Sequence, residues 1–331
     1  MKVLLAVDGS PYSEMCIQML KALQPPAGTE VRVMTVVPEH TFLGGLTLHT
    51  LRPGGAARER LRKAEERHAD ELLREPGETL RASGFAAESR ICWGKPARQI
   101  IEQAREMAAD LVVIGAKGSG GSARFPLGST AQKVMKYADT NVLLVRERLS
   151  AIRRVLIATD GSEYSDEVTR FVLDLQLSRR TEIFVVTALH SFANSTARRP
   201  LLELKIGQQT LARLQATEEK MAQSLIDKAR YQVRQKGFGV SCIILRGEPA
   251  EEILMAADTF CPELIALGAK GLNGSQGFLM GSVAQRVARF ARFSVLLGRV
   301  TPMSGQASQT TARRKNTARQ EKRFRATQDE A

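Results

Sequence analysis

The stretch KVLLAVDGSPYSE, residues 2–14, decides the fold of this chain, because it returns as RVLIATDGSEYSD at residues 154–166. Each copy starts with an apolar run that ends in Asp-Gly-Ser and continues into a segment with helical spacing. A short apolar run bounded by turn residues is typical of a buried strand. Each copy therefore predicts a strand, a turn and a helix, in that order.

Three further blocks repeat in the same order, so the chain consists of two similar halves. An offset of 152 or 153 residues, kept over all four blocks, predicts a duplicated domain of about 150 residues. We predict one domain over residues 1–150, a second over residues 151–300 and a tail over residues 301–331. The three pairs of blocks are WGKPARQIIEQA (93–104) with RGEPAEEILMAA (246–257), DLVVIGAKGSGG (110–121) with ELIALGAKGLNG (263–274), and LGSTAQKVMKYADTNVLLVR (127–146) with MGSVAQRVARFARFSVLLGR (280–299).

Strand and helix patterns alternate in each half, and the strand patterns are continuously apolar. This alternation is typical of α/β proteins in which helices cover both faces of a parallel sheet. We predict two tandem Rossmann-like domains, each with a five-stranded parallel sheet sandwiched by helices. The long helix of the second half is predicted at about residues 201–236, and Pro76-Gly77 is expected to kink or break its counterpart. In the first half the predicted strands are 3–7, 31–37, 85–92, 111–114 and 142–145, and the predicted helices are 13–23, 56–82, 97–107 and 129–137.

Two stretches lack this alternation. Residues 41–55, TFLGGLTLHTLRPGG, are predicted to form a loop after the second strand. Residues 301–331 carry seven Lys or Arg against three acidic residues and few apolar side chains. A segment of that composition cannot offset the entropy of ordering, so we expect a mobile tail. Contact of this basic tail with nucleic acid is an alternative left open.

Composition narrows the class of function. The 331 residues carry a net charge of +13, which favours anionic partners such as nucleotides, nucleic acid or anionic lipid. The four cysteines form no CxxC motif and the four histidines are scattered, so a His/Cys metal site is not predicted. No apolar run approaches the roughly 20 residues of a membrane span, and the N-terminal run is too short for a signal peptide. We expect a cytoplasmic protein without a membrane segment.

A glycine-rich loop follows the predicted fourth strand in both halves, with the spacing G-x2-G-x9-G-S. Ligands of open α/β sheets sit at the carboxyl ends of the strands, where this loop begins. Glycines let backbone amides approach a phosphate, and Gly-Ser opens a helix whose first N–H groups attract an anion. The loop therefore predicts a phosphate site in each half, flanked by Lys117 and Lys270. The spaced residues are Gly115, Gly118, Gly128 and Ser129 in the first half and Gly268, Gly271, Gly281 and Ser282 in the second.

A carboxylate ends the first strand of each half, at Asp8 and at Asp160. Such a carboxylate can accept hydrogen bonds from ribose hydroxyls or reach a Mg²⁺ ion that phosphates hold. It can equally serve as the turn or N-cap residue of the following helix, and both roles stay open. The second strand ends beside it, where Val36 and Ala188 offer apolar surface for a base.

Other nucleotide and catalytic signatures are weak. No G-x-x-x-x-G-K-[ST] motif occurs, so P-loop chemistry is not supported. Gly118, Gly120 and Ala123 form a poor dinucleotide motif, which the second half lacks. No Ser-His-Asp set and no pair of carboxylates occupies duplicated positions, so hydrolase chemistry lacks support.

Three features that occur in both halves resemble the universal stress protein family. They are the strand that ends in Asp-Gly-Ser, the Gly-x-Pro at 94–96 and 247–249, and the G-x2-G-x9-G-S pattern, which marks the ATP-binding members of that family. The resemblance covers about residues 1–299 and implies an adenine nucleotide alpha hydrolase-like fold, with ATP, and Mg²⁺ beside its phosphates, in a cleft of each domain. It also implies that the last strands, 142–145 and 295–297, pair as a pseudo-dimer within one chain.

The resemblance implies a nucleotide-dependent role in stress tolerance rather than efficient catalysis. At most weak ATP hydrolysis is expected. A slow ATPase or nucleotide-using enzyme is one alternative, and an interaction scaffold that has lost its nucleotide is another. Association of whole chains into a homodimer is left open.

The resemblance also implies a role for each matching residue. Asp8 and Asp160 would contact the ribose or a metal, and Val36 and Ala188 would lie at the adenine. Ribose and phosphate would be lined by Gly115, Gly118, Gly268 and Gly271, and the phosphates would be held by Gly128, Ser129, Thr130, Gly281, Ser282 and Val283.

Three departures from the family pattern indicate that the two sites need not bind alike. Ala188 is smaller than the valine that is usual at its position. Pro126 stiffens the approach to Gly128 and removes one N–H donor. Arg124 in the first loop has no charged counterpart in the second.

Overall fold

Ten strands form one continuous sheet that runs through both halves of the chain. The computed structural model describes residues 1–38, 42–43, 46–47, 55–119, 126–189, 208–272 and 279–300. Each half contributes five parallel strands, and helices lie on both faces, so the predicted fold class is confirmed. The predicted tail 301–331 lies outside the described residues, as do Arg124, Gly120 and Ala123.

The described elements follow the predicted alternation. In the first half they are β1 (Lys2–Ala6), α1 (Pro11–Ala22), β2 (Glu30–Val37), β3 (Phe42–Leu43), β4 (Leu46–Thr47), α2 (Gly55–Ala82), β5 (Ala86–Trp93), α3 (Pro96–Glu106), β6 (Leu111–Gly115), α4 (Ser129–Tyr137) and β7 (Asn141–Val145). In the second half they are β8 (Arg154–Ala158), α5 (Glu163–Asp174), β9 (Glu182–Leu189), α6 (Gln208–Gln235), β10 (Gly239–Arg246), α7 (Pro249–Phe260), β11 (Leu264–Gly268), α8 (Ser282–Phe290) and β12 (Ser294–Gly298).

The structure corrects two local predictions. Of the kink or break expected at Pro76-Gly77, no break occurs: helix α2 continues through Pro76, because Leu73 and Leu80 are buried on either side of it and hold one face against the core. The predicted loop at 41–55 contains a small hairpin of β3 and β4, and its last residue already belongs to α2. The N-terminal part of the helix predicted at 201–236 lies outside the described residues, and α6 is described from Gln208.

Strand β1 shows how the apolar runs produce two helical layers. Successive side chains of a strand point to opposite faces. Val3 and Leu5 therefore pack with α1 and α2, whereas Leu4 packs with α3 and α4 on the other face. All three are fully buried, which is why these strands are apolar throughout instead of alternating with polar residues.

The strand order is β5-β2-β1-β6-β7 in the first half and β12-β11-β8-β9-β10 in the second. In the first half the chain moves outward from β1 through β2 to β5, and then restarts on the other side of β1 with β6. Such a switch point leaves a crevice at the carboxyl ends of the two central strands. Asp8 follows β1 there, and Gly115 ends β6.

The two halves meet where β7 pairs with β12 in antiparallel register, Leu143 opposite Leu296. All residues of both strands are buried. Beside the paired leucines, the amide of Arg299 donates to Asn141 Oδ1 at 2.8 Å and that of Arg146 donates to Ser294 Oγ at 3.2 Å. The predicted pairing of the last strands within one chain is therefore confirmed. Among the described residues, no helix is both long and apolar enough to cross a membrane.

Gly298 of β12 is tightly enclosed by α5. A Cβ built at Gly298 would overlap Cβ of Val168 and lie 3.0 Å from the carbonyl oxygen of Tyr164. The corresponding residues of the first half are Val145 and Cys16. The larger side chain therefore belongs to the strand in one half and to the helix in the other.

We expect Gly298→Ala to lower the free energy of unfolding by about 1–3 kcal/mol, the usual cost of overpacking a core. Urea denaturation followed by circular dichroism measures this change. Gly239→Ala is the matched control, because nothing lies within 4 Å of its Cβ position and its φ is not left-handed. Equal stabilities of the two variants would contradict this packing.

Candidate functional site

A cavity of about 850 Å³ opens at the carboxyl ends of β1, β2 and β6. Its walls come from the strand ends, from the glycine loop and from four helices, α1, α2, α3 and α4. The structure thus brings together all the site residues predicted for the first half, although their contacts with a ligand stay a prediction. These residues are Asp8, Val36, Gly115, Gly118, Gly128, Ser129 and Thr130.

Asp8 ties three segments of this cavity together. Its Oδ1 accepts from the amide of Ser10 at 3.1 Å and from Ser13 Oγ at 3.1 Å, which fixes the turn into α1. Its Oδ2 accepts from the amide of Ser119 at 2.8 Å, which fixes the glycine loop. Gly9, between Asp8 and Ser10 in the turn, has a φ of +73°, a left-handed conformation that favours glycine. The turn role that the sequence left open for Asp8 is therefore present.

Two of the spaced glycines are required by neighbouring protein atoms. A Cβ at Gly115 would lie 2.5 Å from Cβ of Tyr12 on α1. A Cβ at Gly118 would overlap Oδ2 of Asp8. Their spacing therefore reflects how closely the loop packs on α1 and on the carboxylate.

Gly128 differs, because no atom of the described residues requires a glycine there. Its φ of −71° and ψ of 149° suit any residue, and the nearest atom to a built Cβ is 3.4 Å away, an ordinary contact. Its own amide donates to the carbonyl oxygen of Ala116 at 2.8 Å. A side chain at this position would extend into space that the described part of the chain leaves open.

Gly128 is also the N-cap of α4, and this helix start carries neither a side-chain cap nor an acidic residue in its first turn. The first N–H groups of a helix have no partners within the helix and carry partial positive charge. Side chains cap two of the described helices: Glu248 accepts from the amide of Glu251 at 3.0 Å at α7, and Ser162 accepts from that of Ser165 at α5, whereas α1 and α3, like α4, have no side-chain cap. The start of α4 instead faces the cavity, through Ser129 and Thr130.

The far end of the cavity is mostly apolar. Met34, Val36 and Val37 line it from β2, and Pro96 and Ile100 line it from α3. The cavity therefore combines an electropositive end at α4 with an apolar end at β2.

Helix α2 supplies a wall that sequence reasoning missed. Glu65, His68, Ala69 and Leu72 line the cavity and follow the i, i+3, i+4, i+7 spacing of one helical face. That periodicity was the available signal, but the lining residues of α2 are separated from the glycine loop by more than 40 residues of sequence.

The second half repeats the arrangement around Asp160. Its Oδ1 accepts from the amide of Ser162 at 3.0 Å, and its Oδ2 accepts from the amide of Leu272 at 3.2 Å. Gly281 repeats the conformation of Gly128, with φ −73° and ψ 153°, again without a side-chain cap on α8. A Cβ there would be 3.6 Å from its nearest neighbour among the residues that the structure describes, so again none of them requires glycine.

The remaining predicted residues of the second half take the corresponding places in the fold. Ala188 lies on β9, and Val283 lies in the first turn of α8. Two exposed side chains make this rim more apolar than the first: Leu272 replaces Ser119, and Met221 replaces His68 when α6 is aligned with α2. Gly268 and Gly271 are enclosed as in the first half, with built Cβ atoms 2.8 Å from Tyr164 Cβ and 2.6 Å from Asp160 Oδ2.

Cysteine chemistry is disfavoured beneath the first site. Burial raises the pKa of the Cys16 thiol well above its usual range, and the charge of Asp8 raises it further. Cys16 therefore stays a neutral thiol in the core. The described residues contain no cluster of three or more His, Cys, Asp or Glu side chains suited to a metal ion.

Comparison with known proteins gives the same family for both halves. The family model described as "Universal stress protein family" matches residues 1–146 and again residues 151–299. A universal stress protein of Mycolicibacterium smegmatis is 30% identical over 247 residues, covering 73% of this chain and 76% of that protein. One from Mycobacterium tuberculosis is 26% identical over 230 residues, covering 67% of this chain and 71% of that protein.

Solved structures agree on the fold. The crystal structure of a universal stress protein from Archaeoglobus fulgidus superposes with a TM-score of 0.58 and 20% identity, covering 90% of this chain and 96% of that one. A universal stress protein solved in complex with cAMP aligns with 44% of this chain and 95% of its own, at 25% identity and a TM-score of 0.30. Because the family model matches the chain twice, over residues 1–146 and 151–299, this chain belongs to the universal stress protein family.

Proposed function

We propose that this protein binds ATP, or another adenine nucleotide, in the cavity of the first half and at the corresponding residues of the second. Nucleotide occupancy would then act as a switch in a stress response. The observation that carries the proposal is Gly128, a glycine that the described atoms around it do not require, at an uncapped helix start that faces the cavity. Gly281 repeats it in the second half.

The charge distribution supports one orientation of the nucleotide. The phosphates would lie beside Gly128, whose missing side chain leaves room for them, and at the amides of Ser129 and Thr130, where the helix start favours negative charge. The adenine would lie against the apolar residues of β2, around Val36. The ribose would lie between them, along Gly115 and Gly118. A volume of about 850 Å³ falls within the roughly 300–1,000 Å³ that small-molecule sites span.

Asp8 contributes chiefly by holding the loop. Its carboxylate already accepts three hydrogen bonds from the protein, out of about four lone-pair positions. A Mg²⁺ ion that accompanies ATP would therefore take most of its ligands from phosphate oxygens and water, as this ion commonly does. A role for Asp8 at the ribose uses the remaining position.

The proposal favours a regulatory protein over an enzyme with efficient turnover. Several points stay predictions. They are the cytoplasmic location, the domain bounds at 1–150 and 151–300, the tail at 301–331, and the association of whole chains into a homodimer. Steady ATP hydrolysis by highly purified protein would favour the enzyme instead.

We expect the wild-type protein to bind two adenine nucleotides per chain. Gly128→Val and Gly281→Val should each remove one of them, because a branched side chain would occupy the phosphate position. Native mass spectrometry counts the bound nucleotides, and calorimetry with ATP gives their affinities. Absence of any adenine nucleotide in both measurements would contradict the proposal, and loss of both sites in one variant would contradict the assignment of residues.

Gly128→Ala separates the ligand's requirement from the protein's. We expect the free energy of unfolding to change by less than about 1 kcal/mol, since a Cβ fits and the backbone is not left-handed. We expect the affinity for ATP at the first site to fall at least tenfold. Thermal unfolding and calorimetry on the Gly281→Val background measure the two quantities. Unchanged affinity would show that no ligand approaches Gly128.

Gly118→Ala has a different expected outcome, because its Cβ would displace Asp8. Loss of the bond from Ser119 should lower the free energy of unfolding by about 1 kcal/mol even without nucleotide. Nucleotide affinity at the first site should fall as well, since the loop is no longer held. Gly239→Ala is again the control variant. Gly84→Ala is unsuitable for this purpose, because the φ of +88° at Gly84 would strain an alanine. A variant as stable as the wild type would contradict the role of Asp8 as the anchor of the loop.

A further inference from the structure

Two arginines follow the last strands of the two halves at corresponding positions, Arg146 after β7 and Arg299 after β12. Arg299 is buried, with 7% of its surface exposed, and Arg146 is partly buried. Burial lowers the pKa of both guanidinium groups from its usual value. Burying a cation costs free energy, so the contacts of these two guanidinium groups must account for their burial.

Arg146 joins a loop of its own half to a helix of the other half. Its Nη1 donates to the carbonyl oxygen of Pro126 at 3.2 Å, two residues before Gly128. Its Nη2 donates to the carbonyl oxygen of Ala288 at 2.6 Å and to that of Arg289 at 3.3 Å, in the last turn of α8.

Arg299 makes the reciprocal contacts. Its Nη1 donates to the carbonyl oxygen of Leu279 at 2.8 Å, two residues before Gly281. Its Nη2 donates to the carbonyl oxygen of Met135, near the end of α4 in the first half. The two arginines thus exchange partners across the junction of β7 and β12.

Strand direction explains why such contacts are possible. Because β7 and β12 are antiparallel, the carboxyl ends of the strands lie at opposite edges of the sheet in the two halves. Helix α4 starts at the first site and runs back along the sheet, over roughly 13 Å for its nine residues. Its last carbonyls therefore reach the edge where the loop of the second site begins.

The contacts are suited to positioning a helix. The last carbonyls of a helix are unpaired and carry partial negative charge, so a cation stabilises them. The Nε atoms of both arginines are buried without a hydrogen-bond partner among the described residues. A buried charged bridge that leaves one donor unsatisfied is weak evidence for a contribution to stability alone. It points instead to a role in setting geometry.

We propose that Arg146 and Arg299 are positioning residues that act across the junction: each sets the helix whose start forms the phosphate site of the opposite half. Nucleotide affinity in one half therefore depends on an arginine of the other. This inference rests on the proposed nucleotide sites and adds that neither site is independent of the other half.

The binding test isolates one site. In the Gly281→Val protein only the first site binds ATP, yet Arg299 belongs to the half whose site is disabled. Adding Arg299→Gln should weaken ATP binding at the first site threefold to tenfold in calorimetry. Arg146→Gln on the Gly128→Val background should do the same to the second site.

Two control variants separate position from charge. Arg292→Gln removes an equal charge from an exposed side chain of the same half and should leave the first site unchanged. Arg299→Lys keeps the charge but cannot bridge two carbonyls as a guanidinium does. ATP binding at the first site should therefore stay weak in this variant. The proposal would be overturned if Arg299→Gln bound ATP at the first site as tightly as its Gly281→Val parent. Wild-type affinity at that site in Arg299→Lys would overturn it as well.

A second measurement needs no arginine variant. In the Gly128→Val protein, ATP binds only the second site, and hydrogen exchange reports on residues 132–137 of α4. We expect these amides to exchange more slowly when ATP is added, while those of α3 do not change. Equal exchange with and without ATP, in a protein that binds it, would overturn the proposal.

The two hypotheses fail differently. If neither parent protein binds ATP, the proposed function is wrong, and exchange in nucleotide-free protein then decides the arginine's role. Arg299→Gln should accelerate exchange in α4 more than in α3. Equal acceleration of both helices would indicate general destabilisation and overturn the positioning role.

Discussion

The antiparallel pairing of β7 with β12 is the contact on which the rest of the arrangement depends. Leu143 and Leu296 face each other in two strands that are buried along their whole length, so the junction is part of the core. It joins two five-stranded sheets into one sheet of ten strands. It also places the carboxyl ends of the strands at opposite edges in the two halves, which separates the two candidate sites.

Much of this could be predicted from the sequence because the chain carries its own comparison. The second copy showed which glycines keep their spacing, and continuous apolar runs such as that of β1 reported strands buried on both faces. The turn at Asp8 followed from Asp-Gly-Ser, since glycine tolerates the left-handed conformation that the turn needs. Local patterns of this kind are sufficient where the physical cause is also local.

The remaining features depend on contacts between residues distant in sequence. Sequence reasoning treated Gly115, Gly118 and Gly128 as one phosphate loop, whereas the structure separates them by cause. Tyr12 and Asp8 enclose the first two, and of these three only Gly128 is left unexplained by atoms in the described part of the chain. The α2 wall around His68 and the continuity of α2 through Pro76 also depend on packing that no local pattern reports.

The exchange of packing between Gly298 and its first-half counterpart bears on how the duplicated halves can evolve. Val145 pairs by position with Cys16, and Gly298 with Val168. Recombination inside the repeats would create a hybrid half that carries the Val168 helix and the Val145 strand. Two branched side chains would then compete for space where the present chain fits only one, since even a single Cβ at Gly298 overlaps Val168. A crossover between these two positions is thereby disfavoured, whereas exchange of a whole half would keep each helix residue with its own strand residue.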